Sequence, residues 1–376
     1  MNTMNKQALK QQIINQIDEM ATELKAISLS LHKNPELGGQ EYQAAELLKS
    51  AITGRDFTVL HNISGYETAF IAKKGSHGPK IAFLAEYDAL PKIGHACGHN
   101  LIAAMSYGAA AAFAAVAGDL ASSYLIGCPA EETQGAKVTM AEDGVFDGLR
   151  AALIVHPADG NYIGGTSYAT HPLKITFHGR PAHVASKTNK GVNALDALVM
   201  FYQGMKTLRQ TFTQETILGG IVTKGGIAPN IVPDEAEAKF TLRAMSSLYL
   251  EDIVIPAVRR LAEGVALATG TTVETMHYEP LFKDLVNDSQ LMELYKQNMA
   301  LLGEEVTVLK PEDADGSTDV GNVSHKAPTI HPDLGIGSNI IAHTPEFALA
   351  AGSDYAQERL LVGAKAMAMT AIDLLD

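Results

Sequence analysis

The seven residues GHACGHN, from Gly94 to Asn100, place two histidines and one of the chain's two cysteines in a glycine-containing loop. Thiolate and imidazole are both ligands of zinc and related divalent cations, so the loop is a candidate metal site. The glycine between Cys97 and His99 lets the backbone turn so that both side chains point at one ion. The alternative is that Cys97 is buried, while His95 and His99 cap the following helix or bond to loop carbonyls.

Two later stretches carry further metal-ligand types. Glu131 and Glu132 are adjacent at the end of one apolar run, and His156 ends the next. Adjacent carboxylates on an extended backbone point in opposite directions, so one can bind metal while the other takes a proton from water. An isolated pair of glutamates is more often a solvated surface pair. The nearby candidate ligands favour the hydrolytic metal site here.

The apolar runs themselves predict the elements that position these residues. Three of them read as buried strands, at 80–90, 123–132 and 151–158, with helix-like sequence between them. This alternation predicts an α/β fold, a catalytic domain with a mainly parallel sheet flanked by helices. The residues at the ends of the runs are Glu86 and Asp88, then Glu131 and Glu132, then His156. Because ligands of such sheets bind at the carboxyl ends of strands, we expect these residues to converge.

The pattern changes after about residue 172. Hydrophobic periodicity predicts strand, helix, strand, strand, helix and strand at 172–179, 191–210, 217–226, 234–244, 248–269 and 271–278. This βαββαβ order is that of a ferredoxin-like unit. We therefore predict a catalytic domain of residues 1–171 plus 287–376, interrupted by a second domain at 172–286.

Composition narrows the function classes. The 376 residues are 46% hydrophobic and carry a net charge of −13, which argues for a globular protein and against a nucleic-acid partner. The first 20 residues lack the apolar run of a secretory signal, so we expect a cytoplasmic protein without a structural disulfide. The Ala-rich stretch 101–118 is interrupted, which favours a buried helix over a membrane span. Cys128 is expected in the core.

Six ordered motifs carry a family resemblance: GHACGHN, CPAEET, VHP, HGRPAHVA, GGIAPNIVPD and AHTPEF. Together they resemble the M20 metallopeptidase and amidohydrolase family, of the M20D type, with its N-acyl-amino-acid, auxin-conjugate and aminobenzoyl-glutamate hydrolases. The resemblance covers nearly the whole chain. It implies a catalytic α/β domain interrupted by a ferredoxin-like lid, and a homodimer formed through that lid.

The resemblance also implies two divalent metal ions per chain, zinc or manganese. The implied ligands are Cys97, His99, Glu132, His156 and His343, with the Cys97 thiolate as the bridge. Two such cations polarise an amide carbonyl and lower the pKa of bridging water. Glu131 would be the general base that takes the proton of that water and returns it to the departing amine. Without the motif, His343 would be interpreted as a loop histidine near the surface.

Four further residues receive implied roles, each with an open alternative. His183 of HGRPAHVA would steady the oxyanion, reaching the site from the partner subunit, or it is a structural histidine at a strand end. Asn230 would hold the substrate or oxyanion, or it forms a turn. Arg243 would bind the substrate carboxylate, or it makes a surface salt bridge. Asp88 would orient a metal ligand.

Two departures from the family pattern stand out. Asn100 follows the second motif histidine where many relatives have aspartate, which leaves the supporting charge and the preferred metal open. Glu86 stands where other branches carry a histidine ligand, so their metal scheme cannot be copied unchanged. Asp319, Asn322 and Ser324 are near the expected site, but the sequence assigns them no role.

The predicted function is a divalent-metal amidohydrolase or peptidase. Its substrate would be an N-acyl amino acid or dipeptide-like amide with a free carboxylate; the stretches EYDALP, GHN and STDVGNVSH most resemble the aminobenzoyl-glutamate and dipeptide branch. N-acetyl-amino-acid deacetylase and aminoacylase remain open. A hydrolase with Cys97 as nucleophile, activated by His95 or His99, would leave Glu131 and the other candidate ligands without a purpose. A catalytically silent binding protein would lack the base or a ligand, and neither is missing.

Overall fold

The computed structural model describes residues 3–375 and divides into two compact units. The first comprises Met1–Thr166, Leu285–Asp313 and Asp319–Asp376, and the second comprises Ser167–Asp284 and Ala314–Thr318. The short segment Ala314–Thr318 therefore packs with the second unit, whereas the predicted domain limits put it in the first. Its contacts are hydrogen bonds with residues far away in sequence, such as Tyr168 N–H to Gly316 O at 3.0 Å. Such contacts leave no local pattern in the sequence.

The helices of the described residues are α1 (Thr3–Glu19), α2 (Ala21–Lys33), α3 (Tyr42–Thr53), α4 (His99–Ala117), α5 (Ala136–Glu142), α6 (Ala194–Arg209), α7 (Ser247–Tyr249), α8 (Ile255–Thr269), α9 (Ser289–Leu301), α10 (Val320–Ser324), α11 (Pro345–Ala351) and α12 (Asp354–Asp373). The strands are β1 (Thr58–Ile63), β2 (Tyr66–Lys74), β3 (Lys80–Ala85), β4 (Ser122–Gly127), β5 (Ala151–Leu153), β6 (His156–Ala158), β7 (Tyr162–Thr166), β8 (Ala169–His178), β9 (Thr216–Lys224), β10 (Glu235–Ala244), β11 (Thr272–His277), β12 (Thr307–Ala314), β13 (Thr329–Ile330) and β14 (Asp333–Gly335).

The main sheet of the first unit has the strand order β1-β2-β4-β3-β5-β13. The pairs β3/β4, β3/β5 and β5/β13 are parallel, and the hairpin pair β1/β2 and the pair β2/β4 are antiparallel. The predicted α/β fold with a mainly parallel sheet is confirmed in this mixed form. All residues of β3 after Lys80 are buried, as expected for a central parallel strand covered on both faces. Its carboxyl end leads to Glu86 and Asp88.

Helix α4 forms the centre of the first unit. It is rich in alanine and buried on almost every side, and it begins at His99, so it fixes that residue against the core. The stretch His99–Leu120 is long and apolar enough to cross a membrane, but 83% of its apolar window is buried inside the protein. Such burial is typical of the core helix of a globular protein. Helix α12 packs so closely on it that a Cβ on Gly363 would lie 2.3 Å from Met105 Sδ.

A second sheet of the first unit, with order β12-β7-β14-β6, was not predicted. Its strands β6 and β14 have three residues each and pair in parallel, with Asp333 opposite His156. Strands this short show no alternation that sequence could reveal. The sheet matters for the site because it holds the backbone of His156.

The second unit has the predicted βαββαβ order. Its antiparallel sheet runs β11-β8-β10-β9, and α6 and α8 pack on one face of it. Strand β10 alternates as the sequence indicated, with Ala236, Ala238, Phe240 and Leu242 buried in the core under the helices. The polar residues between them lie on the other face of the sheet.

His171 on β8 is a buried histidine in this second unit. It is 1% exposed, and neither ring nitrogen has a hydrogen-bond partner among the described residues. Its ring meets the ring of His277 edge-on, with the centroids 4.3 Å apart. Burial, together with the charges of His277 and Arg259, lowers the pKa of His171 from 6.5 to about 4.

The low pKa of His171 predicts a loss of stability in acid. Below pH 6.5 the unfolded chain binds a proton that the folded chain takes up only near pH 4, so the free energy of unfolding falls with pH over that range. We expect a loss of up to about 3 kcal/mol, and we expect His171→Leu to flatten this slope. Urea unfolding between about pH 7 and pH 4.5 measures it. His61→Leu, on an exposed position of β1, is the control; equal slopes in both variants would contradict the prediction.

Candidate metal centre

The loop between β3 and α4 carries Cys97 and His99. Between them Gly98 has φ 79°, and a Cβ at this position would lie 2.7 Å from the ring of Pro157. Glycine is therefore required both for the left-handed backbone and for the close approach. The turn at Gly98 brings the Cys97 thiol and the His99 imidazole together, as the sequence predicted.

Asp88 fixes the orientation of the His99 ring. The Nδ1 of His99 donates to Asp88 Oδ1 at 2.9 Å, and the Asp88 carbonyl oxygen is 3.0 Å away. The Nε2 of the ring is buried and has no hydrogen-bond partner among the described residues, with Glu86 Oε2 3.6 Å away. A histidine held in this way by a carboxylate presents its other nitrogen as a metal ligand. Burial lowers the pKa of His99, but Asp88 outweighs burial and raises it well above its usual value.

The five predicted ligands lie in two overlapping groups. Cys97, His99 and His156 form one group in which the ligand atoms all lie within 4.8 Å of one another, and Cys97, Glu132 and His343 form another. The Cys97 Sγ is common to both groups and lies 3.3 Å from His156 Nε2. In the second group, His343 Nε2 lies 3.1 Å from Glu132 Oε1.

His343 reaches the group from the loop before α11. Its backbone is left-handed, with φ 65°, and its N–H donates to Ala96 O at 2.9 Å. This hydrogen bond ties the loop of His343 directly to the loop of Cys97. Thr344 follows as the N-cap of α11, with its Oγ1 accepting from the Phe347 N–H.

Glu131 and Glu132 do not lie on an extended backbone, and this premise of the sequence argument is wrong. Strand β4 ends at Gly127, and the two glutamates lie in a turn that begins after Ala130, whose φ is 57°. The turn still separates their tasks. Glu132 lies with Cys97 and His343, whereas Glu131 lies in one group with His99 and Glu132 and in another with Glu86 and Asp319.

A buried lysine, Lys137 of α5, lies in this cluster and was missed by the sequence argument. Its Nζ is 2.7 Å from Glu86 Oε1 and 2.5 Å from Asp319 Oδ1, and all three side chains are buried. Burial opposes the ionised form of Glu86, but the charges of Lys137 and His99 lower its pKa to about 2. The one signal in the sequence was a lone lysine among apolar residues of a predicted helix. Asp319, to which the sequence assigned no role, is thus an ion-pair partner.

The donor set and its electrostatics fit divalent cations. Burial raises the pKa of Cys97, so its thiolate requires a compensating positive charge, which a cation supplies. The unpartnered Nε2 of His99 and the mixture of thiolate, imidazole and carboxylate donors fit zinc or manganese. Burial and the negative charges of Glu86 and Asp319 raise the pKa of Glu131 well above its usual range.

Comparisons with known proteins agree with these groups. Residues 171–264 match a family model described as a peptidase dimerisation domain. An Xaa-Arg dipeptidase of Mus musculus is 35% identical over 98% of this chain and 89% of its own length. A p-aminobenzoyl-glutamate hydrolase of Escherichia coli (strain K12) is 30% identical over 91% of this chain and 86% of its own. A solved Bacillus subtilis protein, a dinuclear metal binding peptidase from the M20 family, has a TM-score of 0.73 at 23% identity and covers 95% of this chain and 99% of its own.

The chain belongs to the M20 family of metallopeptidases. The predicted family is therefore confirmed, and so is the prediction that the protein is a hydrolytic enzyme. The structural likeness to the Bacillus subtilis protein shows the shared fold.

Two residues that raised questions in the sequence lie away from the ligand atoms of this M20 enzyme. The Nδ2 of Asn100 donates to Ser28 Oγ at 3.0 Å and to Ala351 O at 3.2 Å, so Asn100 joins helices and does not support the donors. The ring of His95 stacks on His32, with the centroids 6.5 Å apart, and burial lowers its pKa to about 3. The raised pKa of the Cys97 thiol also argues against the alternative of a cysteine nucleophile.

The remaining candidates of this M20 chain lie in the second unit. His183 and Asn230 lie on neighbouring backbone segments, joined by the Val184 N–H donating to Asn230 O at 3.1 Å, and both side chains are exposed. Arg243 lies at the far end of β10, half-buried, with Nη1 donating to Ser317 Oγ at 2.9 Å. Cys128 belongs to the first unit and is a buried core residue, as expected.

Proposed function

We propose that this M20 enzyme hydrolyses the amide bond of a dipeptide-like or N-acyl amino acid substrate with a free carboxylate, using two divalent cations. The observation that carries the proposal is the sharing of the Cys97 Sγ between two donor groups, because a thiolate common to both groups suits a bridging ligand. The name of the Bacillus subtilis neighbour, a dinuclear metal binding peptidase, supports the same stoichiometry.

Five side chains would hold the cations: Cys97, His99, Glu132, His156 and His343. When bound, the cations would polarise the scissile carbonyl and make water a stronger acid. Asp88 holds the His99 ring and also accepts the Glu132 N–H at 3.0 Å, so it keeps two of the five donors in register.

Glu131 is the proposed general base. It belongs to one group with His99 and Glu132, so its carboxylate is adjacent to the donors without being needed as one of them. Its buried position beside Glu86 and Asp319 makes it hold a proton more tightly than an exposed glutamate does. Glu131 therefore takes a proton from the attacking water and passes it to the nitrogen of the leaving amine.

The second unit would bind the substrate and a second copy of the chain. The match of residues 171–264 to a peptidase dimerisation domain supports a homodimer. By the resemblance of its motif, His183 would stabilise the oxyanion in the partner's site, with Asn230 on the adjacent segment. Arg243 presents a guanidinium, which suits a carboxylate through a bidentate contact.

The relatives suggest two substrates for the first assays. The mouse relative is named as a dipeptidase for Xaa-Arg, and the bacterial relative as a hydrolase of p-aminobenzoyl-glutamate. The leaving amino acids, arginine and glutamate, differ in side-chain charge but share the free α-carboxylate. Turnover of both would place specificity in the carboxylate, whereas turnover of one would place it in the side chain. N-acetyl amino acids in the same panel test the deacetylase alternative.

The test measures metal per chain by elemental mass spectrometry after dialysis against Zn²⁺ or Mn²⁺. We expect about two ions per chain in the wild type and a clear fall in Cys97→Ala, because the shared thiolate would be lost from both groups. Cys128→Ala is the matched control, since this second cysteine is buried in the core away from the donors. Wild-type protein without tightly held metal would refute the proposed mechanism.

A further inference from the structure

Residues 35–41, here called the PELGGQE segment, lie against the turn that carries Glu131. A Cβ on Gly38 would lie 3.1 Å from Ala130 Cα and 2.2 Å from Thr133 Oγ1. A Cβ on Gly39 would lie 2.5 Å from Gln134 Nε2, and Gly39 has φ 79°. Glycine at these two positions thus lets the backbone of the segment approach the turn more closely than a side chain would permit.

Glu41 ends the segment and is completely buried. Its Oε1 accepts the Ala130 N–H at 2.7 Å, and its Oε2 accepts the Thr68 hydroxyl at 3.0 Å. Both carboxylate oxygens are therefore occupied, and hydrogen bonds to an ionised acceptor are stronger than those between neutral groups. This side chain connects the PELGGQE segment and β2 to the residue immediately before Glu131.

The helix that follows does not need Glu41 as a cap. Glu41 is the N-cap residue of α3, but its side chain makes no capping hydrogen bond. The carboxylate of Glu36 does this instead, accepting from the Gln43 N–H at 3.2 Å and from the Ala44 N–H at 2.9 Å. The segment therefore contains two glutamates with separate tasks, one for α3 and one for the turn.

The turn needs an external hold because its first residue is strained. Ala130 has φ 57°, a left-handed conformation that costs a non-glycine residue about 1 kcal/mol or more. Its carbonyl accepts from Gln134 and Gly135, at 3.0 and 2.7 Å, which closes the turn. The hydrogen bond from the Ala130 N–H to Glu41 offsets the strain.

We propose that Glu41 is a positioning residue for the reaction, holding the backbone on one side of Glu131 while Asp88 holds it on the other. The N–H before Glu131 donates to Glu41 and the N–H after it donates to Asp88 Oδ2 at 3.0 Å. The proposal rests on the proposed role of Glu131 as general base. A displacement of about 1 Å in a catalytic group can cost about 100-fold in rate, so these contacts have a kinetic consequence.

The test compares Glu41→Asp with Glu41→Gln and Glu36→Gln in metal-loaded full-length protein. The aspartate is one methylene too short to reach the Ala130 N–H, whereas the glutamine keeps a carbonyl acceptor. With p-aminobenzoyl-glutamate or an Xaa-Arg dipeptide, we expect kcat of Glu41→Asp to fall about 10- to 100-fold with KM changed by less than about threefold. Glu41→Gln should recover most of the loss. Glu36→Gln weakens the cap of α3 in the same segment and should leave kcat within about twofold.

A readout independent of turnover is hydrogen–deuterium exchange of the peptide that contains Ala130. Exchange should be faster in Glu41→Asp than in Glu36→Gln. A kcat for Glu41→Asp equal to that of Glu36→Gln would overturn the proposal. If Glu41→Asp does not fold, Glu41→Gln carries the test: its kcat should still fall about two- to tenfold, and no fall would overturn the proposal. Glu131→Gln, measured in parallel, separates the two levels, because full activity in that variant would refute the proposed base itself.

Discussion

Glu131→Gln is expected to lower kcat by about 10²- to 10⁴-fold while leaving the metal content unchanged. Glutamine has nearly the same shape but cannot accept the proton of the attacking water, which is the contribution of a general base. The ligand groups with Cys97 do not include Glu131, so metal binding should survive. Metal analysis and steady-state kinetics on the same preparation measure both quantities.

The control for this variant is Glu142→Gln, on an exposed position at the end of α5. It changes the net charge by the same amount and should keep full activity. A Glu131→Gln enzyme with normal kcat would remove Glu131 from the mechanism. A variant that lost metal as well as turnover would instead assign Glu131 to the ligands.

Lys137→Met is expected to lower the free energy of unfolding by about 3–5 kcal/mol. The lysine is completely buried between Glu86 and Asp319, so its removal leaves two carboxylates without a counter-charge beside Glu131. Burial opposes the charged form of Lys137, but Asp319 and Glu86 outweigh it and raise the pKa of the lysine well above its usual value. Urea unfolding at about pH 7 measures the loss.

Two comparisons make the Lys137 prediction specific. Lys365→Met breaks the pair between Lys365 and Asp18, in which the aspartate is exposed, and should cost less than about 1 kcal/mol. The triple change Lys137→Met, Glu86→Gln and Asp319→Asn removes the uncompensated charges and should recover part of the loss. A Lys137→Met loss as small as that of Lys365→Met would show that the buried charges tolerate separation from their cation.

Local patterns predicted most of the regular structure. Strand β10 alternates strictly between apolar and polar residues, and α4 and α12 are long apolar helices, so periodicity located all three. The second sheet of the first unit could not be found in this way, since β6 and β14 are short and come from segments distant in sequence. Helix-like and strand-like sequence after residue 286 was mixed in the same stretch.

For the candidate site, sequence named the donors but not their supports. The motifs contain Cys97, His99 and Glu132 because a ligand must be a particular residue type. Glu41 and Lys137 act through distance and burial, and nothing in their sequence neighbourhood shows that one meets Ala130 and the other meets Asp319. The turn at Ala130 was likewise hidden, because alanine in a left-handed conformation has no sequence signature.

The complete enclosure of α4 has a consequence for biosynthesis. This apolar helix is covered only when α12 packs along it, and His343 lies just before α12 in the chain. A nascent chain on the ribosome therefore exposes the apolar surface of α4 until the residues beyond 354 have been made, which makes it a client for chaperones during that interval. Insertion of metal must follow this step, because the last donor and the helix that secures the first ones emerge from the ribosome together.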